Sequence, residues 1–386
     1  MILRNHGALR CGLALASLLS GTLLLAAGCR QPAASPPAPA VETAQTEFFA
    51  GDEACQPCHP NSFLDHQNSH HAHSLRIADA ENLGRLAPPV GRIPATEYAI
   101  VKEGSHYYFA NRKDPTQRRK LDLALGSGKL GITYVSFLDE KSLMELRMSY
   151  FPKQNIWYIT PGQEKMFDNH LGFVHNEKLA RQCMGCHTIT VPEHKTRPEE
   201  RFFGIGCESC HGPAGAHAER MRAAIAQGGK QPLYDPHIPK LGQMKASQLM
   251  EICGKCHRSP DAVGTSGLEI NMTQRFQVYG LMQSPCYQKS GDTLSCLTCH
   301  DPHKNASKDH KDYEPVCLSC HGGKPTGMEA TPAFPSKACP VNPRDKCIGC
   351  HMPHRKVFPE SKVPISMADH LIWAYGKKRK PLSQQP

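Results

Sequence analysis

Apolar and polar positions alternate with a period of two along much of residues 97–160, the mark of half-buried strands. "EYAIV" and "HYYFA" flank Lys102–Ser105 as one predicted hairpin; "ITYVSFL" and "LMELRMSY" flank Asp139–Ser142 as another. In the second, Met144, Leu146, Met148 and Tyr150 alternate with Glu145, Arg147 and Ser149. Pro88–Thr160 is therefore expected to be a small β insert. The run "YFPKQNIWYITPG" leads on from it, and its aromatics Tyr150, Trp157 and Tyr158 either line a substrate cleft or simply pack. Elsewhere the pattern shortens to single helices between Pro and Gly turns. Asn176 is placed to cap "EKLARQC" and Ser247 to cap "QLMEIC"; Ala216–Gln227, "AHAERMRAAIAQ", ends at Gly228-Gly229.

The N-terminus has a different texture. Arg4 and Arg10 precede an apolar run, Leu13–Ala27, that reads as an export signal. Its end, "LLLAAGC", resembles a bacterial lipobox with Cys29 as the lipidated residue, although Ala26 stands where that motif most often has Leu. An ordinary secretory signal with Cys29 incidental is the alternative. Gln31–Thr46 is a Pro/Ala-rich tether. The expected organisation is a signal over 1–28, a tether over 29–48, a first segment with the β insert over 49–160, a body over 161–376 and a basic tail over 377–386.

Composition then turns the reading toward chemistry. Only 39% of the 386 residues are hydrophobic, yet the chain carries 18 cysteines and 22 histidines. Fourteen of the cysteines form seven Cys-x-x-Cys pairs: Cys55/Cys58, Cys183/Cys186, Cys207/Cys210, Cys253/Cys256, Cys296/Cys299, Cys317/Cys320 and Cys347/Cys350. Each is followed at once by a histidine: His59, His187, His211, His257, His300, His321 and His351. Cys-x-x-Cys alone serves zinc, redox dithiols and haem alike; the trailing histidine selects c-type haem, two thiols joining the vinyl groups and the histidine lying under the iron. Seven covalently bound haems are expected, and with them an exported protein. Cys286 and Cys339 are left over and invite a disulfide in an oxidising compartment, with a thiolate on iron or a free thiol as the alternative.

The formal charge of +10 does not indicate nucleic acid. Haem propionates would add about fourteen negative charges and ferric irons about seven positive ones, so the basic excess reads as their counter-charge.

A second axial ligand must come from somewhere else. Two histidines on opposite faces of one iron hold their Cα atoms roughly 12–13 Å apart, whereas three residues of extended chain reach at most about 10–11 Å. His303 in "CHDPH" is thus barred from the iron of His300, and His354 in "CHMPH" from that of His351. Each is free to serve a neighbouring iron. His71, His170, His175, His217, His303, His354 and His370 are the candidate distal ligands.

"CQPCH…SHHAHS", "IGCESCHGPAGAH", "EICGKCHR", "SPCYQKSGDTLSCLTCHDPH" and "CIGCHMP…DH" resemble the bacterial multihaem cytochromes c related to hydroxylamine oxidoreductase. That group includes the tetrahaem cytochrome c that accepts the enzyme's electrons. The resemblance spans most of Gly51–His370. It implies closely stacked haems, electron transfer between them, and distal roles for His217, His303 and His370. Seven motifs match neither four nor the eight of hydroxylamine oxidoreductase, and Cys-x-x-Cys-Lys, the mark of pentahaem nitrite reductase, is absent. The expected fold is mainly short α-helices and coil packed around haems, with the small β insert between the first and second sites.

The leading expectation is an electron-transfer protein in the periplasm or on the outer surface, lipid-anchored to a membrane, with no catalytic residue assigned. Its partners would be other redox proteins: a quinol dehydrogenase, cytochromes or a terminal reductase. Two alternatives stand beside it. One is an oxidoreductase of small nitrogen or sulfur compounds at an iron lacking a distal ligand, that of His59 or His257; the other is a subunit of an extracellular cytochrome filament.

Overall fold

The computed structural model describes residues 48–166, 170–228, 235–264, 273, 275–321, 339–342, 345–357, 363 and 365–374. The signal, Cys29, nearly all of the tether and the basic tail lie outside the described residues.

The β portion is larger than the pattern predicts. It begins at β1 (Leu75–Ile77), before the expected insert, and continues through β2 (Gly91–Arg92), β3 (Tyr98–Glu103), β4 (His106–Asn111), β5 (Arg118–Lys120) and β6 (Leu123–Leu125). It then runs through β7 (Thr133–Phe137), β8 (Leu143–Leu146), β9 (Met148–Phe151), β10 (Ile156–Ile159) and β11 (Gly172–His175). The two predicted hairpins are present as β3–β4 and β7–β8. They belong to different sheets, a four-stranded one ordered β2-β3-β4-β5 and a five-stranded one ordered β1-β6-β7-β8-β11. The run "YFPKQNIWYITPG" folds back as a third hairpin, β9–β10, in which Trp157 packs against Tyr150 and Tyr134. These aromatics are packing, not the lining of a cleft. The fold is therefore helices together with several sheets rather than helix and coil with a small insert.

Period-two alternation puts the five-stranded sheet between two cores. Ala124, Tyr134 and Leu146 face a cluster with Ile93, Ile100, Phe109 and Tyr107. Leu123, Val135 and Leu143 face the other way, onto Ala180 and Met184. Each fully buried aliphatic or aromatic side chain here is worth about 1.5–3 kcal/mol. Arg147 is the exception to the alternation: it is buried, and its guanidinium donates to the carbonyls of Gln163 and Met166 at 3.1 Å each.

The helices are short: α1 (Pro60–Gln67), α2 (Ala80–Leu83), α3 (Glu177–Gly185), α4 (Cys207–His211), α5 (Gly215–Ala226), α6 (Ala246–His257), α7 (Pro260–Gly264), α8 (Gln277–Met282), α9 (Pro285–Lys289), α10 (Glu314–His321) and α11 (Cys347–His351). Asn176 caps α3 by accepting from the Leu179 N–H, as expected. Ser247 does not cap α6; it lies inside the first turn, and Asp292 accepts from its N–H and hydroxyl at 2.6 and 3.1 Å. A local pattern cannot reveal a cap supplied from a distant loop. A last hairpin, β12 (His354–Lys356) with β13 (Ser366–Ala368), follows α11.

Candidate haem-binding site

The seven Cys-x-x-Cys-His motifs sit on short helical turns, so cysteines and histidine point to one side. The second ends α3, the third is α4, the fourth ends α6, and the sixth and seventh are the end of α10 and α11. The fifth opens with a 3-10 turn, Cys296–Thr298, and the first leads into α1, with His59 just before its first residue.

The anchor cysteines are not equally enclosed. Ten of the fourteen are half-buried, whereas Cys58, Cys299, Cys320 and Cys350 are exposed. Each exposed one is the second cysteine of its motif. Cys58 lies in the turn ahead of α1 and Cys350 in the single turn of α11, so these two differ from Cys55 and Cys347, their half-buried partners. Helix length does not decide this, since Cys207 and Cys210 on the equally short α4 are both half-buried; what packs over each motif from elsewhere does. The sequence treats all fourteen as equivalent anchors; the structure separates them by exposure. None of the described cysteines, Cys58 and Cys350 included, is in a disulfide.

Long-range polar contacts bring separate motifs together. Glu208 of the third motif is buried and accepts from the Ala50, Gly51 and Ala214 N–H groups at 2.7–3.0 Å, while Asp52 accepts from the Cys207 N–H at 2.8 Å. First and third motifs are thereby joined, and the Cys55 and Cys207 thiols are hydrogen-bonded to each other. Cys186 lies 3.8 Å from the Lys255 carbonyl and shares a hydrogen bond with Cys256, which joins second to fourth. Cys253 and Cys296 pack in one cluster with Met250, joining fourth to fifth. His300 meets the Tyr313 ring edge-on at 5.6 Å, just ahead of α10, and Glu314 of α10 accepts from the Lys346 N–H before α11 at 2.6 Å. The spatial order is 1–3 and 2–4–5–6–7, with the fourth motif also beside the third through Cys210 and Cys253.

Imidazoles bound trans to one metal through nitrogen at about 2.0–2.1 Å place their ring centres roughly 6.2–6.4 Å apart. Among the described residues, three attachment histidines stand at that spacing from a second histidine. His71 stands 6.1 Å from His257, His303 stands 6.4 Å from His211 with planes 6° apart, and His370 stands 6.2 Å from His300. The donor chemistry fits haem iron as well. Carbonyl oxygens of Ser74, Trp373 and Ala368 accept from Nδ1 of His187, His351 and His370 at 2.9–3.0 Å, which fixes the proton there and leaves Nε2 as a ligand. Asp301 lies 3.2 Å from Nδ1 of His303, and Gln277 lies 2.8 Å from Nδ1 of His257. Burial pushes His71, His187, His211 and His300 below the ordinary histidine range and His370 down to about 4, so all are neutral, the ligating form, at pH 7.

The other expected ligands are placed differently. Asp235 accepts from both His217 Nδ1 and Arg220; though burial opposes it, these bonds hold its carboxyl well below the usual range. His175 turns Nε2 toward Glu145 at 3.4 Å and leaves Nδ1 buried without a partner. His170 is exposed, and its carbonyl accepts from the Tyr98 hydroxyl. His354 faces His310 at 6.4 Å, with Ser366 at 3.5 Å from its Nδ1. Among the described residues no second imidazole stands at this spacing from His59, His187 or His351. Cys286 and Cys339 are both free thiols, so the expected disulfide is not formed. Cys286 instead lies among attachment cysteines, its thiol raised first by burial and also by Cys320. Spacing singled out neither His310 nor His66. The signal for His66 was its place on α1 two turns after His59, and it is buried there, 3.8 Å from Asp52.

Gly204 fixes the approach of the His71 loop. Its φ is +82°, a Cβ there would lie 2.2 Å from the Ala72 carbonyl oxygen, and its N–H donates to the His187 carbonyl. The next N–H, of Ile205, donates to the His71 carbonyl at 3.0 Å. Gly204→Ala is expected to destabilise the protein by about 2–4 kcal/mol through the backbone clash and the left-handed conformation. A lowered urea midpoint with an unchanged slope is the measurement that checks it; an unchanged midpoint would show that the loop can move aside.

Residues 158–212 match the family described as cytochrome c554 and c-prime. The chain is similar to the multiheme cytochrome MtrA of Shewanella baltica (strain OS185), 24% identical over 180 residues, 46% of this chain and 44% of the relative. It thus spans less than half the length of that curated relative. Solved structures that align with it include the outer cell wall cytochrome OcwA, at a TM-score of 0.44 and 16% identity over 84% of this chain and 79% of that one. An undecaheme cytochrome from the S-layer of Carboxydothermus ferrireducens aligns at 0.41 and 18% identity, over 80% of this chain and 51% of that one. All of these are named as cytochromes, MtrA and the S-layer protein as carrying several haems, and no helix among the described residues is long and apolar enough to cross a membrane.

Proposed function

We propose that the chain is a seven-haem c-type cytochrome that carries electrons between exported redox partners. The observation that carries this reading is the set of three histidine pairs at trans-axial spacing, each built on an attachment histidine. Haem irons supply one-electron exchange when bound, at potentials set by axial ligand, burial and hydrogen bonding. The chain's own part is to hold and orient them. Seven cysteine pairs would anchor the groups, and His59, His187, His211, His257, His300, His321 and His351 would each hold an iron. His71, His303 and His370 would serve the irons of His257, His211 and His300 in turn.

This arrangement ties sites together without extra structure. His71 follows the first motif yet serves the fourth; His303 follows the fifth yet serves the third. The sequence ground for an open iron at His257 was the lack of a histidine nearby in the chain, and the His71 ring 6.1 Å away speaks against it. Kinship to hydroxylamine oxidoreductase rests on the quoted motifs alone. Export, the lipid anchor at Cys29 and partners such as a quinol dehydrogenase, other cytochromes or a terminal reductase extend the proposal beyond the described residues.

The test is mass spectrometry of the exported protein together with EPR of its oxidised form. The expected mass carries seven haems, and the irons of His211, His257 and His300 are low-spin. A protein exported without covalent haem overturns the proposal. A high-spin iron at one of the other four sites would instead favour a substrate-converting reading.

A further inference from the structure

The axial histidines do not all rest on the same kind of group. Nδ1 of His370 faces the Ala368 carbonyl at 3.0 Å and Nδ1 of His257 faces the Gln277 side-chain oxygen at 2.8 Å, both neutral acceptors. Nδ1 of His303 faces a carboxylate instead, Oδ1 of Asp301 at 3.2 Å. The local sequence builds this contact. Pro302 fixes φ between the two residues, and the same Oδ1 accepts from the His303 N–H at 3.0 Å, so the carboxylate is held beside the ring that follows it. Two neighbours then hold the loop in place. Lys304 Nζ reaches Asp65 of α1 at 3.2 Å and the second oxygen of Asp301 at 3.7 Å. Asn305 accepts from the His70 N–H at 2.8 Å and donates to the Asn68 carbonyl at 2.9 Å. The carboxylate is thus tied to the segment that ends α1, and the His303 ring stands 6.4 Å from His211.

A charged acceptor does more to an axial imidazole than a neutral one. As the Nδ1 proton is drawn toward Asp301, the ring gains imidazolate character and donates more strongly through Nε2. A ferric iron gains more from that than a ferrous one, since it carries one positive charge more, and the negative charge of Asp301 acts in the same direction. Lys304 opposes it from the far oxygen. The side chains of His303 and Asp301 are 40% and 48% exposed, so solvent screens both charges and the effect is modest.

We propose that Asp301 is a positioning residue that, through His303, lowers the potential of one haem, the one held by His211, and that Lys304 limits the effect. This rests on the function proposed above and adds to it the residues that grade one haem against the others. His211 belongs to the third motif, which Glu208 and Asp52 join to the first, so the grading falls on the step between these two haems.

Asp301→Asn keeps an oxygen to accept from the His303 N–H and removes the charge; Lys304→Met keeps the aliphatic stem and uncovers the carboxylate. His303→Ala identifies the haem, as the low-spin signal that this variant loses. The exported holoprotein and the variants are compared by redox titration followed by EPR, with haem counted by mass. Asp301→Asn is expected to keep every haem and every low-spin signal. The identified haem shifts about threefold toward the reduced form at a given potential, a midpoint about 28 mV higher at about 59 mV per tenfold. Lys304→Met is expected to move the same midpoint downward. An unmoved midpoint in Asp301→Asn, a high-spin signal there, an equal shift of every haem, or a shift of both variants in one direction overturns the inference and leaves the electron-carrier reading standing. A His303→Ala variant that keeps every low-spin signal overturns the pairing and this inference together, and a protein exported without covalent haem overturns the electron-carrier reading itself.

Discussion

Replacing His303 with alanine is expected to leave seven haems attached and to turn the haem held by His211 from low-spin to high-spin. His303 lies only three residues after His300, too short a reach to cross that iron, since three residues span at most about 10–11 Å. Its ring lies 6.4 Å from that of His211 and almost parallel to it, with Nδ1 beside Asp301 at 3.2 Å. Attachment depends on the cysteines, so haem count by mass should not change. The side chain is 40% exposed, so any loss of folding stability in the variant reports the missing ligand rather than lost packing. EPR of the oxidised variant reads the result. A high-spin signal arising from the haem of His300, or none at all, contradicts the pairing.

The largest stability effect is expected at Glu208. Its carboxylate is 2% exposed and accepts from the N–H groups of Ala50, Gly51 and Ala214. Glu208→Ala strands those donors in a buried place at about 1–3 kcal/mol each, so a loss of about 3–5 kcal/mol follows. That is a large share of the 5–15 kcal/mol by which a typical domain is stable. Glu208→Gln keeps one accepting oxygen and should lose roughly half as much. Urea denaturation of the holoprotein measures both; equal midpoints for the two variants would mean that the bonds to Ala50, Gly51 and Ala214 are not what holds the first motif to the third.

Local pattern made some features readable and concealed others. The hairpins β3–β4 and β7–β8 follow from alternation and turn residues, and the Asn176 cap from a residue at one end of its own helix. Arg147 was misleading, because alternation treats a charged position as the wet face, while here backbone carbonyls of a distant loop take the guanidinium inside. The same limit hid the Asp292 cap and the joining of β1 to β6 and of β8 to β11. Each depends on a partner far along the chain, and no window of neighbouring residues contains it. The exposure of Cys58 and Cys350 was hidden for that reason too, since five identical-looking residues do not say what packs over them.

The sequence by itself marked where haem attachment is expected and which histidine would hold each iron, because attachment is chemistry within five consecutive residues. It also determined a negative: His303 and His354 cannot serve the irons of their own motifs, since a short chain has a fixed reach. Only the tertiary structure decided which histidine faces which. A trans ligand has to come from across the iron, and that means from chain folded back from elsewhere: His71 to His257, His303 to His211, His370 to His300.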